Sequence, residues 1–279
     1  MSAPSAVHGV VVGIDGSASS LSAVRWAARD AQLREVGLTL VHVDDAPEAG
    51  AEADAVLGQA EAAALTVIGS QPSLIDNRHA HGKPVDELVE AAKEAQLIAV
   101  GSRGRAGHLR QRIGSVGVGL LHHAHCPVAV VHGDEPPRRG PGRKPVLVGI
   151  DGSKRSVSAA AVAFDEASRR ATDLLALHVC KDADNPTMRH SDFAMIEHEA
   201  EEFLRKSLTE LQQQYPGVTV HYLVRFENPA RQLLVQAERA QLIVVGSHGR
   251  GAVAGKLLGS VSTAVAEQSR IPVIVARRS

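Results

Sequence analysis

Two glycine-rich segments carry residue types suited to holding a phosphate. Gly101, Ser102, Arg103 and Gly104 are followed nine residues later by Gly114 and Ser115. Gly246, Ser247, His248 and Gly249 are followed at the same spacing by Gly259 and Ser260. Each segment comes after an apolar run, Leu97 to Val100 or Leu242 to Val245, so each loop joins a strand to a helix. In that arrangement backbone N–H groups and the positive end of the helix dipole meet an anion. The glycines at 101, 104 and 114, and their counterparts, permit close approach and left-handed dihedrals. Ser115 and Ser260 stand where the helix opens, able to cap it or to bond a phosphate oxygen. Other nucleotide motifs fail. A Walker A loop ending in Gly255 and Lys256 would have Arg250 at its first glycine position and Leu257 after the lysine. A dinucleotide fingerprint has the wrong spacing after the first strand, where Gly13 and Gly16 enclose Asp15.

The elements that position these loops recur along the whole chain. Val10 to Ser17 matches Val146 to Ser153, and Leu38 to Val43 matches Leu174 to Val179. Ala95 to Ser102 matches Ala240 to Ser247, and Cys126 to Val131 matches Ile271 to Ala276. The pattern predicts one nucleotide-binding domain over residues 1–133, a linker rich in Pro and Gly over 134–145, and a second such domain over 146–279. In each, short apolar strands alternate with helical patterns. This predicts two tandem doubly wound α/β domains, each a five-stranded parallel sheet of order 3-2-1-4-5 with helices on both faces. Asp15 to Gly101 is nine residues shorter than Asp151 to Gly246, and Ser73 to Ala80 matches Val218 to Arg225 poorly. The third strand of the first domain is therefore expected to be short, displaced or partly irregular.

In such sheets ligands bind beyond the carboxyl ends of the strands, where the winding reverses. That places Asp15 opposite Gly101 and Asp151 opposite Gly246. A carboxylate repels phosphate, so these residues suit a ribose hydroxyl or a metal ion bridging to phosphate. Capping of the next helix through Asp-Gly-Ser is the competing role.

Composition narrows the function classes. The 279 residues carry 30 basic and 31 acidic side chains, which gives no electrostatic case for nucleic acid or an anionic membrane. Two cysteines exclude a disulfide framework, and no apolar stretch reaches the length of a membrane helix. With no secretory signal at the start, the expectation is a cytoplasmic protein. His122, His123, His125 and Cys126 have metal-like spacing, but the second copy has Ala266 to Ser269 there. No metal site is assigned to them. The Asp165 to Arg170 and Glu197 to Glu202 runs read as solvated helix faces.

The chain resembles the universal stress protein family, in its tandem nucleotide-binding form. The motif Gly-x2-Gly-x9-Gly-Ser is complete in both copies, and the Asp after strand 1 and His-Val at the end of strand 2 also match. The resemblance implies ATP in each domain, with or without Mg2+, and no catalytic residue. Adenine would lie by the main chain of Val43 or Val179, and ribose by Gly13 and Asp15 or Gly149 and Asp151. Phosphates would meet the loop with Arg103, Arg105 and Gly107, then Ser115, Val116 and Gly117. In the second copy they would meet His248, Arg250 and Gly251, then Ser260, Val261 and Ser262. Pairing of the two domains through their last strands, a homodimer and a regulatory protein partner are implied as well. The family reading is a stress-response protein in which nucleotide occupancy regulates conformation or partner binding. A slow ATPase or phosphotransferase using the same loops is the alternative. The copies differ where Ser262 replaces Gly117 and Lys256 replaces Gln111, which makes the second site the fuller one, with an added hydroxyl and cation for the terminal phosphate.

Overall fold

A computed structural model describes residues 9–44, 50–69, 74–104, 113–132, 143–180, 190–249 and 258–277. The chain divides into two compact units, whose described residues run from 9 to 132 and from 143 to 277.

Unit 1 runs β1 (Val10–Ile14), α1 (Ala18–Arg34), β2 (Leu38–Asp44), α2 (Gly50–Ile68), β3 (Ile75–His81), α3 (Pro84–Ala91), β4 (Leu97–Gly101), α4 (Ser115–His123) and β5 (Val128–Val131). Its strands lie in the order β3-β2-β1-β4-β5, all parallel. Helices α1 and α2 pack together, as do α3 and α4. The sheet between them is apolar on both sides, with Val10, Val12, Leu40, Leu97, Ile98 and Val130 fully buried.

Unit 2 repeats the plan with β6 (Val146–Gly149), α5 (Lys154–Arg169), β7 (Leu174–Cys180), α6 (His190–Gln214), β8 (Val220–Phe226), α7 (Pro229–Ala237), β9 (Leu242–Gly246), α8 (Ser260–Gln268) and β10 (Val273–Ala276). Its order is β8-β7-β6-β9-β10, again parallel. Both units have the predicted five-stranded, doubly wound form.

Two expectations are corrected. The third strand of unit 1 is neither short nor irregular: β3 is seven residues long and pairs with β2 from Leu38↔Ile75 to Asp44↔His81. Its residues, Ile75 to His81, are mostly polar because it is an edge strand with half of its surface open. The missing length lies chiefly in α2, which has 19 residues where α6 has 25. The second correction concerns Asp165 to Arg170. Glu166 is fully buried and its carboxylate meets Arg170 at 2.8 Å, one turn along α5. Asp30 and Arg34 form the same pair on α1 at 2.7 Å. Each helix thus ends in one buried acid–arginine pair, not a wholly solvated face.

Candidate functional site

At the end of β1 the chain turns sharply into α1. Gly16 has φ +78° and Gly152, its counterpart, +80°, a left-handed conformation that a β-carbon strains. Asp15 Oδ1 accepts the Ser17 N–H at 3.0 Å, and Asp151 Oδ1 accepts that of Ser153 at 2.9 Å. Ser17 and Ser153, not the aspartates, cap the helices, taking N–H bonds from Ser20 and Ser156. The Oδ2 atoms of both aspartates lie against the glycine loops of their units. A β-carbon on Gly104 would lie 2.8 Å from Asp15 Oδ2, and one on Gly249 would collide with Asp151 Oδ2. Close approach, not dihedral freedom, is what these loop glycines provide. Neither they nor Gly101, Gly114, Gly246 and Gly259 has a positive φ.

His42 fixes the neighbouring strand end. Its Nδ1–H donates to the Ile14 carbonyl at 2.9 Å, and His178 does the same to Ile150 at 2.6 Å. A carbonyl only accepts, so this nitrogen carries the proton in both rings.

The loops close by backbone bonds. Ser102 N–H donates to Val131 O and Gly114 N–H to Ser102 O, both at 2.9 Å. Ser247 and Gly259 repeat this at 3.1 and 2.7 Å. Gly114 and Gly259 are the N-caps of α4 and α8, and neither cap supplies a side-chain acceptor. Ser115 and Ser260 are the exposed first helical residues. Each loop thus presents a first helical turn without a capping oxygen, facing the Asp of the same unit.

In unit 1 these parts enclose a crevice of about 420 Å³. Gly13, Asp15, Val43, Gly101, Arg103, Gly104, Gly114, Ser115, Val116 and Gly117 line it, each singled out by sequence. Ile14, Ser20, Val41, Pro84, Leu88 and Val100 also line it and were missed. Pro84 and Leu88 open α3, and their signal was the proline after the third strand, repeated as Pro229 and Leu233. Gly13 would press a β-carbon to 2.9 Å from Leu88, and Gly149 one to 3.3 Å from Leu233, so the same apolar wall stands in unit 2.

Three sequence-named residues sit differently from expectation. Ser102 and Ser247 are buried under their loops, where Ser247 Oγ accepts from Arg155 Nη1 at 2.9 Å. Ser262 is also buried, and its hydroxyl donates to the Gly246 carbonyl at 2.6 Å. It braces the strand end from beneath instead of offering its proton to a phosphate. Gly117 leaves no room for that side chain in unit 1, since a β-carbon there would lie 2.7 Å from Ile113 Cγ2. Arg155, at the position of Ser19 in unit 1, is a cation beside the second loop that sequence comparison passed over. Arg105, Gly107, Gln111, Arg250, Gly251 and Lys256 lie outside the described residues. His248 is buried, and its carbonyl receives the Ser153 hydroxyl at 3.5 Å, as that of Arg103 receives Ser17.

The model of the universal stress protein family matches residues 7–132 and again 142–277. The chain belongs to the universal stress protein family. A universal stress protein of Mycobacterium bovis is 43% identical over 295 aligned residues that span 100% of both chains. Another, from Mycobacterium tuberculosis, is 41% identical over 299 residues, covering 100% of this chain and 99% of the relative. A universal stress protein from Archaeoglobus fulgidus, 22% identical, has the same fold, with a TM-score of 0.72 over 98% of this chain and 97% of its own. These relatives bear stress-protein names and none is named for an enzymatic activity. No helix among the described residues is long and apolar enough to cross a membrane.

Proposed function

We propose that each unit binds ATP at the carboxyl ends of its strands, and that occupancy regulates the binding of a partner protein in the cytoplasm. One observation carries this reading. In unit 1 the Asp15 carboxylate, the Gly101–Gly104 loop and the open first turn of α4 share a single crevice. Its volume of about 420 Å³ lies within the ~300–1,000 Å³ range of small-molecule sites. Val41, Val43, Pro84 and Leu88 give an apolar wall for a purine. Asp15 Oδ2 is placed to accept a ribose hydroxyl or to ligate Mg2+. The N–H groups of Ser115 and Val116, with Arg103 nearby, suit the phosphates. Gly149, Asp151, Val179, Gly249, Gly259, Ser260 and Val261 repeat this set in unit 2. With Ser262 turned inward, the second site loses one reason for ranking above the first, so two nucleotides per chain are expected.

Mass spectrometry of the denatured, purified protein tests this. Two nucleotides per chain should fall to one in Asp15→Ala and in Asp151→Ala. No bound nucleotide, together with no thermal shift on adding ATP, would reject the reading. Association of two chains belongs to the same proposal, and sedimentation velocity with and without ATP measures it.

A further inference from the structure

The outer strands of unit 1 hold a second group of donors. Asp44 ends β2, and in the parallel register His81 stands directly beside it while His79 stands beside His42. His79 Nε2–H donates to Asp44 Oδ2 at 2.6 Å, and His81 Nδ1–H donates to Asp44 Oδ1 at 2.8 Å. One ligand atom from each residue lies within 4.8 Å of the other two. The His42 ring lies alongside His79, with centroids 6.0 Å apart and planes 23° from parallel.

This group is separate from the crevice. Side chains alternate along a strand, and Val41 and Val43 of β2 face the crevice with Leu88 of α3. His79 and His81 share the other face with Asn77, whose side chain is bonded to Glu61 of α2 at 2.7 Å.

The fold does not require polar residues here. In unit 2 the same positions are Cys180, Val224 and Phe226, and Phe226 packs edge-on against Phe193 at 5.3 Å. Unit 1 has replaced an apolar patch with one carboxylate and two imidazoles. The side chains of Asp44 and His79 are 15% and 22% exposed, whereas His81 is 50% exposed. One side of the group is therefore open to water.

We propose that Asp44, His79 and His81 form a binding site for one divalent transition-metal ion of the zinc class, held on the α2 face at the edge of unit 1. Two imidazoles and a carboxylate suit Zn2+ and its neighbours, whereas Mg2+ and Ca2+ take shells of oxygen. Three protein ligands with one open side are the pattern of a site that keeps a water on the metal. A ring that ligates the ion through the nitrogen now facing Asp44 carries its one proton on the other nitrogen instead, so binding moves that proton across each ring and leaves the facing lone pair for the metal. Ligand atoms around tetrahedral zinc lie roughly 3.3 Å apart, by simple geometry from metal–ligand distances near 2.0 Å. The separations of 2.6 and 2.8 Å, made to the two different Asp44 oxygens, each need to open by less than an ångström, while ligand atoms now up to 4.8 Å apart draw in toward the same spacing. Two strands that pair through seven residues supply the rigid frame for this.

The test uses the untagged full chain, freed of metal by a chelator. One equivalent of Co2+ should give visible ligand-field bands that Zn2+ then abolishes, and Zn2+ should raise the unfolding midpoint reported by Trp26 fluorescence. His79→Gln, His81→Gln and Asp44→Asn should each weaken Zn2+ binding by at least ~10-fold. A chain with His122→Gln, His123→Gln and His125→Gln should bind as the parent does. His81 is half exposed, so His81→Gln decides the matter even if His79→Gln fails to fold. No stoichiometric Co2+ bands, or full affinity in His81→Gln, or binding lost in the triple variant, would overturn the proposal.

Discussion

The two units agree most closely where the backbone is most crowded and diverge where a single side chain faces open space. At the Asp-Gly-Ser turns, corresponding hydrogen bonds differ by 0.1 Å, 3.0 against 2.9 Å. Gly101 and Gly246 each lie so close to the first turn of the first helix of their own unit that a β-carbon would meet backbone, at Ser19 or Arg155. At the outer edge the same two strands carry Asp44, His79 and His81 in one unit and Cys180, Val224 and Phe226 in the other. Close approach admits one solution, so the repeat keeps it. An edge with one free face admits many. The loop floors stand between these extremes, with Gly117 and Ile113 in unit 1 and Ser262 and Leu258 in unit 2.

Separate probes let the units be compared within one chain. Trp26, buried in α1, is the chain's one tryptophan, and both tyrosines, Tyr215 and Tyr222, belong to unit 2. The largest effect is expected from the acid–arginine pairs that the units share. Arg34→Met should leave Asp30, and Arg170→Met should leave Glu166, as buried charges without their arginine. Each change should cost about 3–5 kcal/mol in denaturant unfolding. Replacing both partners of either pair with Met should recover most of that loss. Unequal effects in the two units would show that the pairs are not equivalent despite their matching geometry.

Next in size is an exchange of the loop floors. Gly117→Ser brings a β-carbon to 2.7 Å from Ile113 Cγ2, and overpacking of that kind costs about 1–3 kcal/mol. Ile113→Leu removes the branching methyl and gives unit 1 the residue that unit 2 has at that place. The double variant Gly117→Ser with Ile113→Leu should therefore lose less than Gly117→Ser alone, a coupling that a double-mutant cycle measures. In unit 2, Ser262→Ala removes the bond to the Gly246 carbonyl and should cost about 1 kcal/mol. If Ser262 instead served the nucleotide alone, Ser262→Ala would leave the stability of the nucleotide-free chain unchanged.

Much of this was legible because two copies of one pattern were present to compare. The strand order, the opposition of Asp15 to Gly101 and the crevice-lining glycines follow from apolar runs and spacing. What escaped had a common physical cause: the outcome depended on contacts between elements distant in the chain. The β3 residues Asp76, Asn77, Arg78 and His79 have weak strand preference, and their pairing is imposed by β2. Ser262 looked like a phosphate ligand because its hydroxyl sits one turn into a helix, and only the packed structure turns it toward Gly246. Glu166 looked solvated because it stands in a charged run with Asp165, Arg169 and Arg170. The wall made by Pro84 and Leu88 required knowing which face of α3 meets β2.

The smallest difference expected between the units appears at alkaline pH. Tyr215 packs beside Phe164 in unit 2, with ring centroids 5.8 Å apart. Burial, and the Asp165 carboxylate besides, raises the Tyr215 hydroxyl above its usual value of 10.0, against a smaller lowering by Arg169. The unfolded chain, with its phenol at the ordinary value, then releases the proton first as pH rises. The contribution of Tyr215 to stability is therefore complete below pH 10.0 and is lost as pH climbs through the raised value in the folded state. Unit 1 contains no tyrosine. Tyr215→Phe should flatten the alkaline fall in stability while leaving the neutral value close to the parent, because the ring contact with Phe164 is kept. Urea unfolding of both chains on either side of pH 10.0 measures this. An identical alkaline fall in Tyr215→Phe would place the titrating group elsewhere and remove this distinction between the two units.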